Sequence, residues 1–242
     1  MKKELVLVHG WDPQKYSKFC KNAISAWDQR TRLIKEIEKY YTVHYFNLPG
    51  FCGTPEPNAR VWDVEDFARA FNDWIIERKL NPEIVLGYSF GGAIALLWKL
   101  VFVSETPIVI VSPAITRRET KKSRIGRIGE RLFGKTNSVG RLLKHCYLYL
   151  FNKYYRLGTP FLRNTYDRIV RRDLRDELIK VPPDQVLLVY GERDTATPWT
   201  DVKDIALNGN FPHVVIPNGT HAIGETHPRE IMDAIADFRR LK

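Results

Sequence analysis

Short runs of β-branched and aliphatic residues alternate along the chain with longer stretches whose apolar side chains recur every three or four positions. Leu5–Val8, Thr42–Phe46, Ile84–Leu86, Ile108–Val111, Val186–Tyr190 and Val214–Ile216 read as strands. Their apolar residues form near-continuous runs, as burial on both faces requires. Ala23–Tyr40, Val64–Arg78, Gly92–Phe102 and Arg229–Leu241 read as helices. In the second helix Val64, Phe67, Phe71, Trp74 and Ile75 share one face, and Asp63 stands at the N-cap. Regular alternation of strand and helix predicts an α/β fold, a mostly parallel central sheet with helices on both faces. In such folds ligands bind beyond the carboxyl ends of the strands.

The alternation stops between Pro113 and Val181. No convincing strand lies there, but Val139–Tyr155 and Tyr166–Lys180 carry helical patterns. Charge changes at the same place. Residues 115–180 hold 18 Lys/Arg against 6 Asp/Glu, a net of +12, whereas the whole chain, with 38 against 28, is +10. The basic character is therefore local, and it predicts an inserted helical cap over 114–180 on a core domain of 1–113 and 181–242. A basic stretch of this kind also raises nucleic-acid binding, but no recognised nucleic-acid motif accompanies it, so that class is set aside.

With 242 residues, 44% of them hydrophobic, the chain can bury a large core as one domain with an insertion. Cys20, Cys52 and Cys146 are few, odd in number and widely spaced. Neither a disulfide framework nor a zinc ribbon is expected, and a reduced, cytoplasmic protein is the simplest fit. Met1-Lys2-Lys3-Glu4 and the four apolar residues after it do not resemble a signal peptide. No uncharged apolar run is long enough to span a bilayer.

The most specific chemistry lies where Ile84-Val85-Leu86 meets Gly87-Tyr88-Ser89-Phe90-Gly91 and a helical stretch begins at once. Gly87 and Gly91 allow strand and helix to approach around a sharp turn, which lifts the Ser89 hydroxyl out of the fold as a nucleophile. A serine hydroxyl needs a base, and His221, after the last strand and a Gly-containing turn, is the candidate; His227, before Pro228, reads as a surface or capping residue. The imidazole in turn needs a carboxylate. Asp194, four residues past a strand end, is the candidate, with Glu192 as the alternative. A tetrahedral intermediate also requires N–H donors: the backbone amides of Phe90 and of Trp11, in the His9-Gly10-Trp11 loop after the first strand, are assigned to that oxyanion hole. His9 and Gly10 are expected to support this loop rather than react.

These residues make the chain resemble the α/β-hydrolase superfamily almost from end to end. Asn47-Leu48-Pro49-Gly50-Phe51-Cys52-Gly53 is similar to that family's D-x-P-G-x-G-x-S loop, with Asn47 in place of aspartate and Cys52 in place of glycine. Trp62-Asp63-Val64-Glu65-Asp66 resembles the family's entry into its next helix, and Gly191–Pro198 resembles its acid loop. The resemblance implies a carboxylesterase-like serine hydrolase with the triad Ser89, Asp194 and His221, separated by 105 and 27 residues, and with Trp11 and Phe90 as oxyanion donors. This chemistry needs no metal and no organic cofactor, and no ligand cluster in the sequence suggests one. A serine in place of the aspartate of epoxide- and halide-cleaving relatives points to an acyl-enzyme, hence to a small-molecule ester or thioester. A carbon–carbon bond, a lipid at a membrane surface, or a ligand bound without turnover are the alternatives. The cap mixes its basic residues with Tyr147, Tyr149, Phe151, Tyr154, Tyr155, Phe161 and Tyr166. Such a surface suits an acidic substrate or anionic lipid headgroups, or else packs inward and leaves a solvated basic face.

Overall fold

The computed structural model describes residues 2–117 and 153–240. Six strands, β1 (Lys3–Val8), β2 (Tyr41–Phe46), β3 (Ile84–Tyr88), β4 (Ile108–Val111), β5 (Val186–Gly191) and β6 (His213–Ile216), form one sheet in the order β2-β1-β3-β4-β5-β6. Every pairing is parallel. The inner strands β3, β4 and β5, and β1 from Leu5 onward, are buried along their length because both faces of the sheet are covered. Val6, Val8, Val85, Ile108, Ile110, Val186 and Leu188 point into one core, and Leu5, Leu7, Ile84, Leu86, Val109, Leu187 and Val189 into the other.

The first core is closed by α2 (Val64–Glu77) and α3 (Phe90–Val101), the second by α1 (Thr31–Ile37) and the C-terminal helix Pro228–Arg240. Asp63 caps α2 within a full capping box, with the Asp66 carboxylate accepting from the Asp63 N–H at 2.7 Å. Between β4 and β5 the described part of the insertion is helical, with α4 (Lys153–Leu157), α5 (Pro160–Ile169) and α6 (Arg175–Leu178). Phe161, Leu162 and Ile169 of α5 are buried in the same core as α2. The predicted helical pattern at Val139–Tyr155 lies mostly outside the described residues, as do Tyr147, Tyr149 and Phe151.

Three expectations are corrected. The stretch Ala23–Tyr40 is not one helix: Ala23–Arg30 is a 3₁₀ segment and only Thr31–Ile37 is α-helical. Tertiary anchoring outweighs periodicity here, because buried Trp27 packs edge-on against Tyr88 and the Arg30 guanidinium lies 4.0 Å over the same ring. The helix expected at Tyr166–Lys180 begins earlier, at Pro160, capped by the Thr159 hydroxyl, and ends at Ile169. There Arg117 donates to the Ile169 carbonyl and the Leu174 N–H turns to the Ile115 carbonyl, which draws the chain back to the end of β4.

The third correction concerns the cysteines, since Cys20 and Cys52 form a disulfide. It joins the loop after β1 to the loop after β2, which also pair through Tyr16 and Phe51. Cys52 has φ +42, a left-handed conformation that glycine adopts more readily, so the loop keeps the backbone of a glycine while carrying a cross-link. With Cys20 and Cys52 joined, the cysteines give no ground for a reducing compartment. Among the described residues no helix is long and apolar enough to cross a membrane. Closing a loop across a separation of 32 residues restricts the unfolded chain, and reduction is expected to lower stability by about 3–4 kcal/mol. Denaturant midpoints with and without a thiol reductant measure this; equal midpoints would exclude a stabilising bridge.

Candidate active site

Ser89 sits in the single-residue bend between β3 and α3 with φ +53 and ψ −116, a backbone conformation that costs about 1–3 kcal/mol for a residue with a side chain. The bend is possible because its flanks lack Cβ atoms. A methyl on Gly91 would overlap the Val8 carbonyl, and one on Gly87 would overlap the Gly91 carbonyl. The loop after β1 passes directly beside the bend, so that a Cβ on Gly10 would stand 3.0 Å from the Ser89 Cβ. Neither the Trp11 nor the Phe90 backbone N–H donates a hydrogen bond among the described residues. Among the described residues, then, one amide on the β1 loop beside the bend and one at the start of α3 are unengaged.

His9 holds the loop from behind. Its Nδ1–H donates to the Gly10 carbonyl at 2.8 Å, and its Nε2 accepts from the Leu48 N–H at 3.1 Å, so the ring is neutral and both nitrogens are used. Burial, at 2% exposure, pushes its pKa down to about 4. A histidine depressed in the native state stabilises the fold above its unfolded pKa of 6.5 and loses that contribution as pH falls toward 4. Stability should decline by about 3 kcal/mol over this window. Replacing His9 with glutamine should flatten that decline, as followed by denaturant melts at pH 7 and pH 4.5. A variant with the wild-type slope would mean that another group causes the decline.

Trp11 extends from the same loop into a group of aromatic rings. Its indole meets Phe51, Phe90 and Tyr166 at centroid distances of 4.9, 5.6 and 5.9 Å, and its Nε1–H donates to the Tyr16 hydroxyl at 2.8 Å. Tyr166 belongs to α5, so the insertion meets the β1 loop through these rings.

Asp194, after β5, and His221, after β6, come together. Asp194 is buried after β5, and its Oδ2 accepts from the His221 Nδ1–H at 2.7 Å. Its Oδ1 takes the Ala196 and Thr197 backbone N–H groups at 2.8 and 3.0 Å, and the Thr197 hydroxyl lies 2.9 Å from Oδ2. Burial pushes the carboxyl upward. The bonds from His221 and from the Thr197 amide and hydroxyl outweigh it and hold the pKa at about 2. An ionised carboxylate only accepts, so Nδ1 carries the proton and Nε2 presents its lone pair. Nε2 has no partner among the described residues, and neither has the Ser89 hydroxyl.

The alternatives fall elsewhere. Glu192 is exposed and accepts from the Asn218 N–H at 2.9 Å, while His227 pairs with the Thr226 hydroxyl at 2.7 Å. Two hydroxyls escaped the sequence reading. Tyr88, next to Ser89, donates to the backbone carbonyl of His221 at 2.7 Å and accepts from the Gly224 N–H, which ties the His221 loop to the strand that carries Ser89. Thr197 braces the acid; its position three residues after an Asx-type turn acceptor was the available signal. In the insertion, Arg168 pairs with Asp63, Arg172 with Glu65 and Glu177, and Arg175 with Asp173, so part of its positive charge is answered locally.

Known proteins carry the same frame. An esterase from Exiguobacterium antarcticum superposes with a TM-score of 0.67 at 19% identity, over 98% of this chain and 92% of that one. A bromoperoxidase from Bacillus anthracis gives 0.66 at 17% identity, over 99% and 92%. A meta-cleavage product hydrolase from Pseudomonas fluorescens gives 0.64 at 15% identity, over 98% and 90%. At such identities the likeness is one of fold, and the three chemistries differ. No curated protein matches the chain in sequence. The model of the alpha/beta hydrolase family, however, matches residues 5–234, and the chain belongs to that family.

Proposed function

We propose that the chain is a serine hydrolase that cleaves a carboxylic ester or thioester through an acyl-enzyme. The observation that carries this reading is the His221–Asp194 pair: a buried carboxylate fixes the Nδ1–H tautomer, and Nε2 has no partner among the described residues. In this scheme Nε2 takes the Ser89 proton as Oγ attacks the carbonyl carbon. The oxyanion that forms is held by the Trp11 and Phe90 amides, each worth about 3 kcal/mol of the barrier. The imidazolium then protonates the leaving oxygen or sulfur, and a water activated by the same nitrogen releases the acid. No step of the scheme requires a metal or an organic cofactor.

Esters suit these groups better than amides or carbon–carbon bonds because the leaving group needs little protonation. A fluorophosphonate probe tests the proposal. Stoichiometric labelling at Ser89, together with turnover of p-nitrophenyl butyrate, supports it. Labelling without ester turnover would redirect it to another acyl or carbon–carbon substrate, and no labelling would point to a binding protein that keeps the fold.

A further inference from the structure

Thr197 touches both the acid and the strand beside it. Its Oγ1 lies 2.9 Å from Asp194 Oδ2, 3.0 Å from the Ser112 carbonyl oxygen and 3.4 Å from His221 Nδ1. A hydroxyl has one proton, so it donates to the carboxylate or to the carbonyl, but not to both at once. The carbonyl belongs to a rigid position: Ser112 is fully buried at the end of β4, and its N–H is bonded to the Val189 carbonyl. Asp194 Oδ1 is already filled by two backbone amides, so Oδ2 is where the acid's hydrogen bonding can change.

We propose that Thr197 is a positioning residue for the Ser89–His221–Asp194 reaction, its hydroxyl turning between Asp194 and the Ser112 carbonyl and so setting how much negative charge Asp194 presents to His221. The inference rests on the serine-hydrolase reading. With the hydroxyl on Oδ2, part of the carboxylate's charge is engaged before the reaction. As His221 gains the Ser89 proton, the hydroxyl turns to the Ser112 carbonyl and leaves Oδ2 to the imidazolium. One hydrogen bond breaks and one forms, and no proton passes between heavy atoms. The hydroxyl's bond to the carboxylate is made before the reaction and given up as charge develops, so it holds down the basicity of His221 rather than adding to the binding of the transition state.

The titratable groups around Asp194 are His221 after β6, the Tyr190 phenol on β5 and the Tyr88 phenol on β3, with the Arg30 guanidinium over the Tyr88 ring. Burial pushes both phenols up, so neither ionises where the triad would work.

Thr197→Val removes the hydroxyl at nearly constant volume, and Thr197→Ser keeps it. The valine variant is expected to keep kcat on the pH plateau at or above the wild-type value, within about tenfold, with KM little changed, because the bond it loses belongs to the ground state. The acidic limb of its kcat/KM profile should move to higher pH, because an Asp194 without this donor holds the imidazolium more strongly. Serine should restore the wild-type limb. The proton on His221 Nδ1, followed by NMR, should move downfield in the valine variant and stay in place in the serine variant, a readout that needs no turnover. Thr197→Ala, which adds no bulk, replaces valine if that variant does not fold. An unchanged limb and an unchanged Nδ1–H resonance in the hydroxyl-free variant would overturn the proposal, as would a serine variant that behaves like valine. Absence of fluorophosphonate labelling at Ser89 in the wild type would sink the serine-hydrolase reading instead, while the NMR comparison still decides the role of Thr197.

Discussion

Replacing Ser89 with alanine should leave a folded protein whose kcat for p-nitrophenyl butyrate is lower by about 10⁵- to 10⁶-fold. The loss is large because without the hydroxyl no acyl-enzyme forms, and the unengaged Nε2 of His221 has nothing to deprotonate but water. The residual rate, still above that in water, should come from the Trp11 and Phe90 amides and from substrate positioning. The same position makes a second measurement possible. Ser89 is held at φ +53, which alanine endures no better than serine but glycine adopts without strain. Ser89→Gly should therefore unfold at higher denaturant than Ser89→Ala, although both are inactive. A difference of that sign would mean that the bend at Ser89 holds its side chain at a cost in stability. Activity in either variant within tenfold of wild type would remove Ser89 from the reaction. A glycine variant less stable than the alanine one would show that the bend stores no strain.

How much of this could be read from the chain alone depends on whether the cause was local. The inner strands were legible because burial on both faces forces continuous apolar runs, and the bend at Ser89 because Gly87 and Gly91 leave few other ways to turn. Asp63 was legible as a cap for the same reason: the carboxylate and the amides it serves are neighbours in sequence. The failures have distant causes. Ala23–Arg30 has helical periodicity, but Trp27 and Arg30 are drawn to Tyr88, more than fifty residues away. Cys20 and Cys52 have no telling spacing and meet only because the loops after β1 and β2 pair across the end of the sheet. The candidate site divides in the same way. Ser89, Asp194 and His221 each stand just past a strand end, where a parallel sheet gathers its loops. Tyr88 and Thr197 reach across those loops, and a phenol or a hydroxyl carries no pattern that says so.

Asp194→Asn should cost about 10⁴-fold in kcat with little change in the fold, because it reverses the direction of one hydrogen bond. The Ala196 and Thr197 amides donate to Oδ1, so an asparagine must keep its oxygen there and turn its NH₂ toward His221. Nδ1 would then have to accept, the imidazole would carry its proton on Nε2, and Nε2 could no longer take one from Ser89. The substitution also separates catalysis from acid stability. The Asp194 carboxyl, depressed to about 2, contributes stability that is complete above its unfolded pKa near 4 and is lost as pH falls through 2. Its side chain is fully buried, and a shift of this size corresponds to about 2 kcal/mol. Denaturant melts of the asparagine variant should therefore lack that part of the wild-type decline between pH 4 and pH 2, and kcat at pH 7 should still fall. Loss of activity with an unchanged acid decline would place the depressed carboxyl elsewhere. Retention of activity within tenfold would end the role of Asp194 and turn attention to Glu192, which would have to leave the Asn218 amide to serve.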